Sequence, residues 1–164
     1  MPSSDNVLAM CAHLPLIDLA QGEGLIVEGA RTDRLYVLKS GALEVTRNGV
    51  RIVLISEPGS FVGEISALLG SAPTASVVAS QDSTVHLVDH ASAAVRAQPE
   101  LTYAIAQLLA RRLQAVTAYL VDIKRQYADT DTHLGLMDKV LANLIAMQPG
   151  AAAAGSERSD VPDY

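Results

Sequence analysis

The sequence predicts an α+β fold: an antiparallel β-roll of the double-stranded β-helix or jelly-roll type, with a short N-terminal helix, a long C-terminal dimerisation helix and one further helix. Three observations carry that prediction. Between residues 22 and 88 the chain is a succession of short β-rich runs separated by turn residues. After Pro99 the apolar period changes from 2 to helical. Within the helical part, Leu109, Leu113, Val116, Leu120, Ile123 and Tyr127 alternate spacings of four and three, the pattern of a coiled-coil seam.

Length and composition set the frame for these elements. A chain of 164 residues fits one hydrophobic core and leaves no room for a second full domain. With 49% hydrophobic and 18% charged residues it can bury enough apolar surface to offset the entropy of ordering its backbone. Lys and Arg number 12 against 18 Asp and Glu, and the net charge of -6 repels polyanions, which argues against DNA as a partner. The single cysteine, Cys11, excludes an intrachain disulfide and a multi-cysteine zinc cluster, and reads as a small buried hydrophobe in a reducing compartment. His13, Pro15 and Asp18 interrupt the one candidate for a secretory signal. No apolar run approaches the roughly 20 residues of a membrane span. The expectation is a cytoplasmic protein that does not enter a membrane.

Taken in order, residues 5–14 read as a helix with Asp5 as its N-cap and Val7, Leu8, Cys11 and Leu14 on one side, limited by Pro15. Strands follow over 25–28, 34–39, 42–47 and 50–56. Asn48-Gly49 between the last two is the preferred pair for a two-residue type I′ hairpin, because both positions need positive φ. Glu57-Pro58-Gly59 makes the next turn, and strands over 75–80 and 84–88 flank a turn at Gln81-Asp82-Ser83. These complete a roll of about seven or eight strands.

The long helix should run over residues 100–127, up to the polar run 129–132. Leu109, Leu113, Val116, Leu120 and Ile123 form its dimer interface, while Leu101, Ile105, Leu108 and Ala115 occupy a neighbouring face that can pack on the roll. A last helix over 133–148 is apolar around much of its girth and needs cover on several sides. The domain organisation expected is therefore a roll with its dimerisation helix over 1–127, an extra helix within 128–148 and a disordered tail over 149–164.

The stretch that carries chemistry is Phe61-Val62-Gly63-Glu64-Ile65-Ser66-Ala67-Leu68-Leu69, followed by Pro73-Thr74-Ala75-Ser76-Val77-Val78-Ala79. It resembles the phosphate-binding cassette of cyclic-nucleotide-binding domains in the catabolite activator protein superfamily. The resemblance extends over roughly residues 22–148, since Leu109-Ala110-Arg111-Arg112-Leu113-Gln114 looks like the start of that superfamily's dimerising helix. After Pro149 only about fifteen residues remain, too few for a helix-turn-helix domain.

What the resemblance implies is a ligand site of Val62, Gly63, Glu64, Ile65, Ser66, Thr74 and Ala75. In such a cassette a Gly opens a short helix whose free N–H groups face the cyclic phosphate, and the next Glu accepts a hydrogen bond from the ribose 2′-hydroxyl. Gly63 and Glu64 match those roles. Thr74 stands where a hydroxyl meets the phosphate, Arg112 matches a cation near Glu64, and Thr117 a hydroxyl that meets the base from the partner chain. One departure stands out: the Arg that normally neutralises the phosphate, about nine residues after the Glu, is replaced by Pro73, which offers neither charge nor N–H. The absence of a charge-assisted contact of roughly 1.5–3 kcal/mol weakens binding by about one to two powers of ten.

Each residue also has an ordinary reading. Gly63 can serve a turn, Thr74 a strand, Arg112 an ion pair with Glu64 or another carboxylate, and Thr117 the helix surface. Enzymatic readings find less support. His13, His86, His90 and His133 are scattered without the two-His, one-Glu set of a metal-binding cupin, and no Walker loop, nucleophile elbow or Cys-His arrangement is present. The expectation is a stand-alone, non-catalytic regulatory protein. It would sense a cyclic nucleotide, cAMP or cGMP, weakly or atypically, and signal as a homodimer through an unidentified protein partner, with no metal or other cofactor. Two alternatives stay open: a ligand-independent dimeric adapter, and a truncated transcription-factor relative that forms heterodimers.

Overall fold

A computed structural model describes residues 4–126, 139–140 and 142–144. Helix α1 (Ser4–Cys11) leads into strands β1 (Leu16–Leu19), β2 (Gly24–Ile26), β3 (Leu35–Ser40), β4 (Leu43–Arg47), β5 (Val50–Ile55) and β6 (Phe61–Val62). Helix α2 (Glu64–Leu69), strands β7 (Ser76–Ala79) and β8 (Ser83–Val88), and helices α3 (Ala91–Ala97) and α4 (Pro99–Gln126) complete the order. The eight strands form two antiparallel four-stranded sheets, ordered β1-β8-β3-β6 and β2-β7-β4-β5. This is the α+β β-roll that the sequence predicts.

Two cores hold the roll together, and β3 serves both because successive side chains point to opposite faces. Tyr36 and Leu38 join Leu19, Leu43, Val62, Val77 and Val85 in one cluster. Leu35 and Val37 join Val7 and Cys11 of α1, Val95 of α3, and Leu101, Ala104 and Ile105 of α4 in the other. Pro99 occupies the first position of α4, where its fixed φ suits the helix and its missing N–H costs nothing. Burial in the helix-lined core pushes the Cys11 thiol pKa up, as expected of a cysteine used as a hydrophobe.

The Asn48-Gly49 hairpin forms as the sequence requires, with φ of 51° and 74° and the register Arg47↔Val50. Other details differ from expectation. Helix α1 ends at Cys11 rather than continuing to residue 14, and Asp5 lies inside its first turn rather than capping it. Strand β1 and helix α3 are additional. The first is too short and mixed to show alternation, with Leu16 exposed and Leu19 buried. The second is an alanine-rich segment of seven residues that buries only Ala91 and Val95, too few for a visible stripe. Phe61 and Val62, read as part of the cassette, are also a strand paired with Val37 and Tyr36 of β3.

The chain divides into two units, residues 1–110 and 111–164, with the division inside α4. In the first, Leu108 and Leu109 are partly buried against the helix-lined core. In the second, Leu113 and Val116 are half exposed, and Ala115, expected on the packed face, is exposed. Tyr127 and most of the helix expected over 133–148 lie outside the described residues, although 139–140 and 142–144 are helical. The tail over 149–164 also lies outside them.

Candidate functional site

The cassette is built by a strand, a glycine and one short helix. Strand β6, paired with β3, delivers the chain to Gly63, which adopts φ 87° and ψ 3° and precedes α2. Two constraints meet at Gly63. Its φ lies in the left-handed region, and a Cβ there would approach the Arg34 carbonyl oxygen to 2.8 Å and Ile26 Cδ1 to 3.3 Å. Both conditions select glycine, so the residue does more than make a turn: it seats α2 directly on the start of β3. Helix α2 closes on Gly70, whose φ is 64° and whose N–H donates to the Ser66 carbonyl at 2.9 Å.

Glu64 follows Gly63 and is 4% exposed, with an interaction partner of its own. Val62 is buried in the roll interior, Ser66 is half-buried, and Ile65 faces solvent. Thr74 is exposed and Ala75 half-buried on the approach to β7. The structure thus gathers Val62, Gly63, Glu64, Ile65 and Ser66 on one short segment, with Thr74 and Ala75 on the return. Arg112 and Thr117 belong to the unit that begins at Arg111. There Arg112 is partnered, and the Thr117 hydroxyl donates to the Leu113 carbonyl of its own helix at 2.8 Å.

Four residues that sequence reasoning left aside also line the recess beside Gly63. Arg31, Thr32, Asp33 and Arg34, from the loop between β2 and β3, share it with Ser66, Ser71 and Pro73. The loop is tied down at both ends. The Gly29 N–H donates to the Pro73 carbonyl at 2.8 Å, and the Ala91 N–H donates to the Asp33 carbonyl at 2.8 Å. The Ser92 hydroxyl and the Ser92 N–H both donate to Asp33 Oδ1. Those two bonds, the hydroxyl's first, hold the Asp33 carboxyl below its ordinary pKa, helped by the nearby His90 and Arg31. Arg34 pairs with Asp89 at 3.5 Å. The available signal was Arg-Thr-Asp-Arg just before a strand, a charged turn where a spacer would have sufficed.

Elsewhere the chemistry is sparse. His86 is 4% exposed in β8 and its Nδ1 has no hydrogen-bond partner among the described residues. Among the described residues no three His, Cys, Asp or Glu side chains come together as a metal site, and no helix is long and apolar enough to cross a membrane.

A roll of two four-stranded sheets that carries a Gly-Glu cassette between β6 and β7 defines a class of binding domain, and comparison agrees. Residues 16–94 match the cyclic nucleotide-binding domain family, and this stretch of the chain belongs to it. Particular relatives can be named. The chain is 37% identical over 68 residues to the cAMP-dependent protein kinase regulatory subunit of Yarrowia lipolytica, covering 42% of this chain and 18% of that protein. It is 27% identical over 125 residues to the CRP-like cAMP-activated global transcriptional regulator of Mycobacterium tuberculosis, covering 71% of this chain and 55% of the relative. The crystal structure of Thermus thermophilus catabolite activator protein matches with a TM-score of 0.59 and 26% identity, covering 74% of this chain and 60% of that one. The chain therefore spans less than two thirds of each of these proteins.

Proposed function

We propose that this protein is a non-catalytic cytoplasmic regulator that binds a cyclic nucleotide at the cassette of residues 62–75 and signals to a protein partner as a homodimer. The observation that carries the reading is Gly63. Its positive φ, and a position beside the Arg34 carbonyl that leaves no room for a Cβ, go with the buried Glu64 at the first position of α2, the arrangement that the resemblance implies for a ribose and its phosphate. Two of the three relatives are described as cAMP-dependent or cAMP-activated, which makes cAMP the first ligand to test and cGMP the second. Dimerisation through Leu109, Leu113, Val116, Leu120 and Ile123 would cover Leu113 and Val116, each about half exposed in the single chain. A ligand shifts such a module only through different affinity for two arrangements of it.

A second reading has one observation in its favour. Pro73 occupies the position of the family's phosphate cation, and its carbonyl is spent on Gly29, as suits a cassette retained for structure in a ligand-independent adapter. Calorimetric titration separates the two. The regulator reading expects saturable binding of cAMP or cGMP at micromolar to millimolar concentration, at least tenfold weaker binding for Glu64→Gln at unchanged thermal stability, and a dimeric mass by sedimentation of the same sample. No heat of binding with either nucleotide up to several millimolar would give first place to the adapter.

A further inference from the structure

The cassette lacks its own cation, yet the recess beside it does not lack positive charge. Arg31 lines that recess with Gly63, Ser66, Ser71 and Pro73. Its guanidinium reaches across the last turn of α2, where a Cβ on Gly70 would lie 3.6 Å from Nη2. The other arginine of the loop is placed differently. Arg34 presents its backbone carbonyl to Gly63, while its guanidinium is paired with Asp89.

Resting on the cyclic-nucleotide reading above, we propose that Arg31, carried by the β2–β3 loop, supplies the phosphate-binding cation that the cassette lost at Pro73. The surroundings suit an anion in three ways. Ser66 and Ser71 bring hydroxyl donors to the same recess. The competing anion, Asp33, already accepts two hydrogen bonds from Ser92 on Oδ1, and among the described residues neither of the ion pairs Arg34–Asp89 and Arg51–Glu44 takes up Arg31. The bond from the Gly29 N–H to the Pro73 carbonyl keeps the arginine's loop in register with the cassette, so the cation arrives beside the position from which it is missing. The recess has room for about one water molecule, roughly 10 Å³. A phosphate would therefore sit at the mouth of the recess, where the exposed Arg31 side chain can turn onto it, a rotation of the picosecond to nanosecond scale.

The test is titration of the full chain with cAMP, in four versions: wild type, Arg31→Gln, Pro73→Arg, and the two changes combined. Arg96→Gln, an exposed arginine on α3, serves as the charge control, and thermal unfolding checks that each is folded. If Arg31 is the cation, Arg31→Gln weakens binding by about ten- to a hundredfold. The same change then costs less than about threefold in the Pro73→Arg chain, because the phosphate already has its charge there. Arg96→Gln changes affinity by no more than the roughly twofold expected of a distant surface charge. Equal binding by wild type and Arg31→Gln overturns the assignment of Arg31 and leaves the cyclic-nucleotide reading intact. So does a large loss on Arg31→Gln that persists undiminished in the Pro73→Arg chain, which marks a structural role. Binding by Pro73→Arg but not by wild type also overturns it, since the natural chain then has no working cation. Silence from both wild type and Pro73→Arg at millimolar cAMP removes the inference together with the reading beneath it.

Discussion

Strands β3 and β5 have the same length and nearly the same apolar character, Leu-Tyr-Val-Leu-Lys-Ser against Val-Arg-Ile-Val-Leu-Ile, yet they have opposite fates. The first four residues of β3 are buried without exception, while the first five of β5 are exposed. The cause is their place in the strand order. β3 lies between β8 and β6 with a core against each face, whereas β5 is the edge of the other sheet, bonded only to β4. The edge carries the usual protections: a charge at Arg51 paired with Glu44 at 3.1 Å, and a register irregularity between Val45 and Thr46 opposite it. Hydropathy therefore predicts that a segment is strand, and topology decides what the strand costs to change.

The largest expected effect breaks or keeps this contrast at its centre. Leu38→Ala should destabilise the protein by about 2–5 kcal/mol, the range for a cavity in a close-packed core. Ile52→Ala should cost less than about 0.5 kcal/mol. Chemical denaturation of both variants measures the difference, and similar midpoints would mean that β5 is covered in solution.

A middle-sized effect compares the glycines that flank the two strands. Gly49, in the hairpin before β5, has φ 74° and open space where a Cβ would stand; Gly63, packed on the start of β3, has φ 87° and the Arg34 carbonyl in the way. Gly49→Ala should cost about 1 kcal/mol, for backbone conformation alone. Gly63→Ala should cost at least about 1 kcal/mol more, because the main chain must shift as well. Equal losses by thermal unfolding would show that the close approach at Gly63 relaxes without cost.

The smallest effect concerns pH. Asp33, just before β3, has its pKa held below the ordinary aspartate value in the folded chain. Its contribution to stability is therefore complete above the unfolded-state pKa and is lost as pH falls through the folded value. The ion pair on β5, between Arg51 and Glu44, is largely exposed and should contribute little at any pH. Unfolding temperatures measured from pH 6 down to pH 2 should fall slightly less steeply for Asp33→Asn than for wild type. An identical slope would show that the bonds from Ser92 do not depend on the charge.

Much of this architecture was legible because local chemistry decides it. Asn48-Gly49 demanded its hairpin, the turn residues spaced the strands, and Pro99 opened the long helix whatever the surroundings. Gly63 and Glu64 were legible as a pair through the family pattern. What stayed hidden was set by contacts distant in sequence. Ala91–Ala97 has alanines that favour a helix but no apolar stripe to mark one, because its two buried residues gain their meaning from the core they meet. Arg31 could not be placed beside Pro73 from sequence, since 42 positions separate them and a backbone bond between Gly29 and Pro73 brings them together.

That bond has a mechanical consequence. The segment from Gly29 to Asp33 works as a short strap, fastened to the exit of the cassette at Pro73 and, through Asp33, to the N–H groups of Ala91 and Ser92 at the head of α3. The strap is five residues long and bonded at both ends. Its far end is bonded to α3, whose Val95 lies in the same core as Leu101 and Ile105 of α4. The roll thus contains a connection from the cassette to the core that holds the root of the long helix, separate from the ladders of the two sheets.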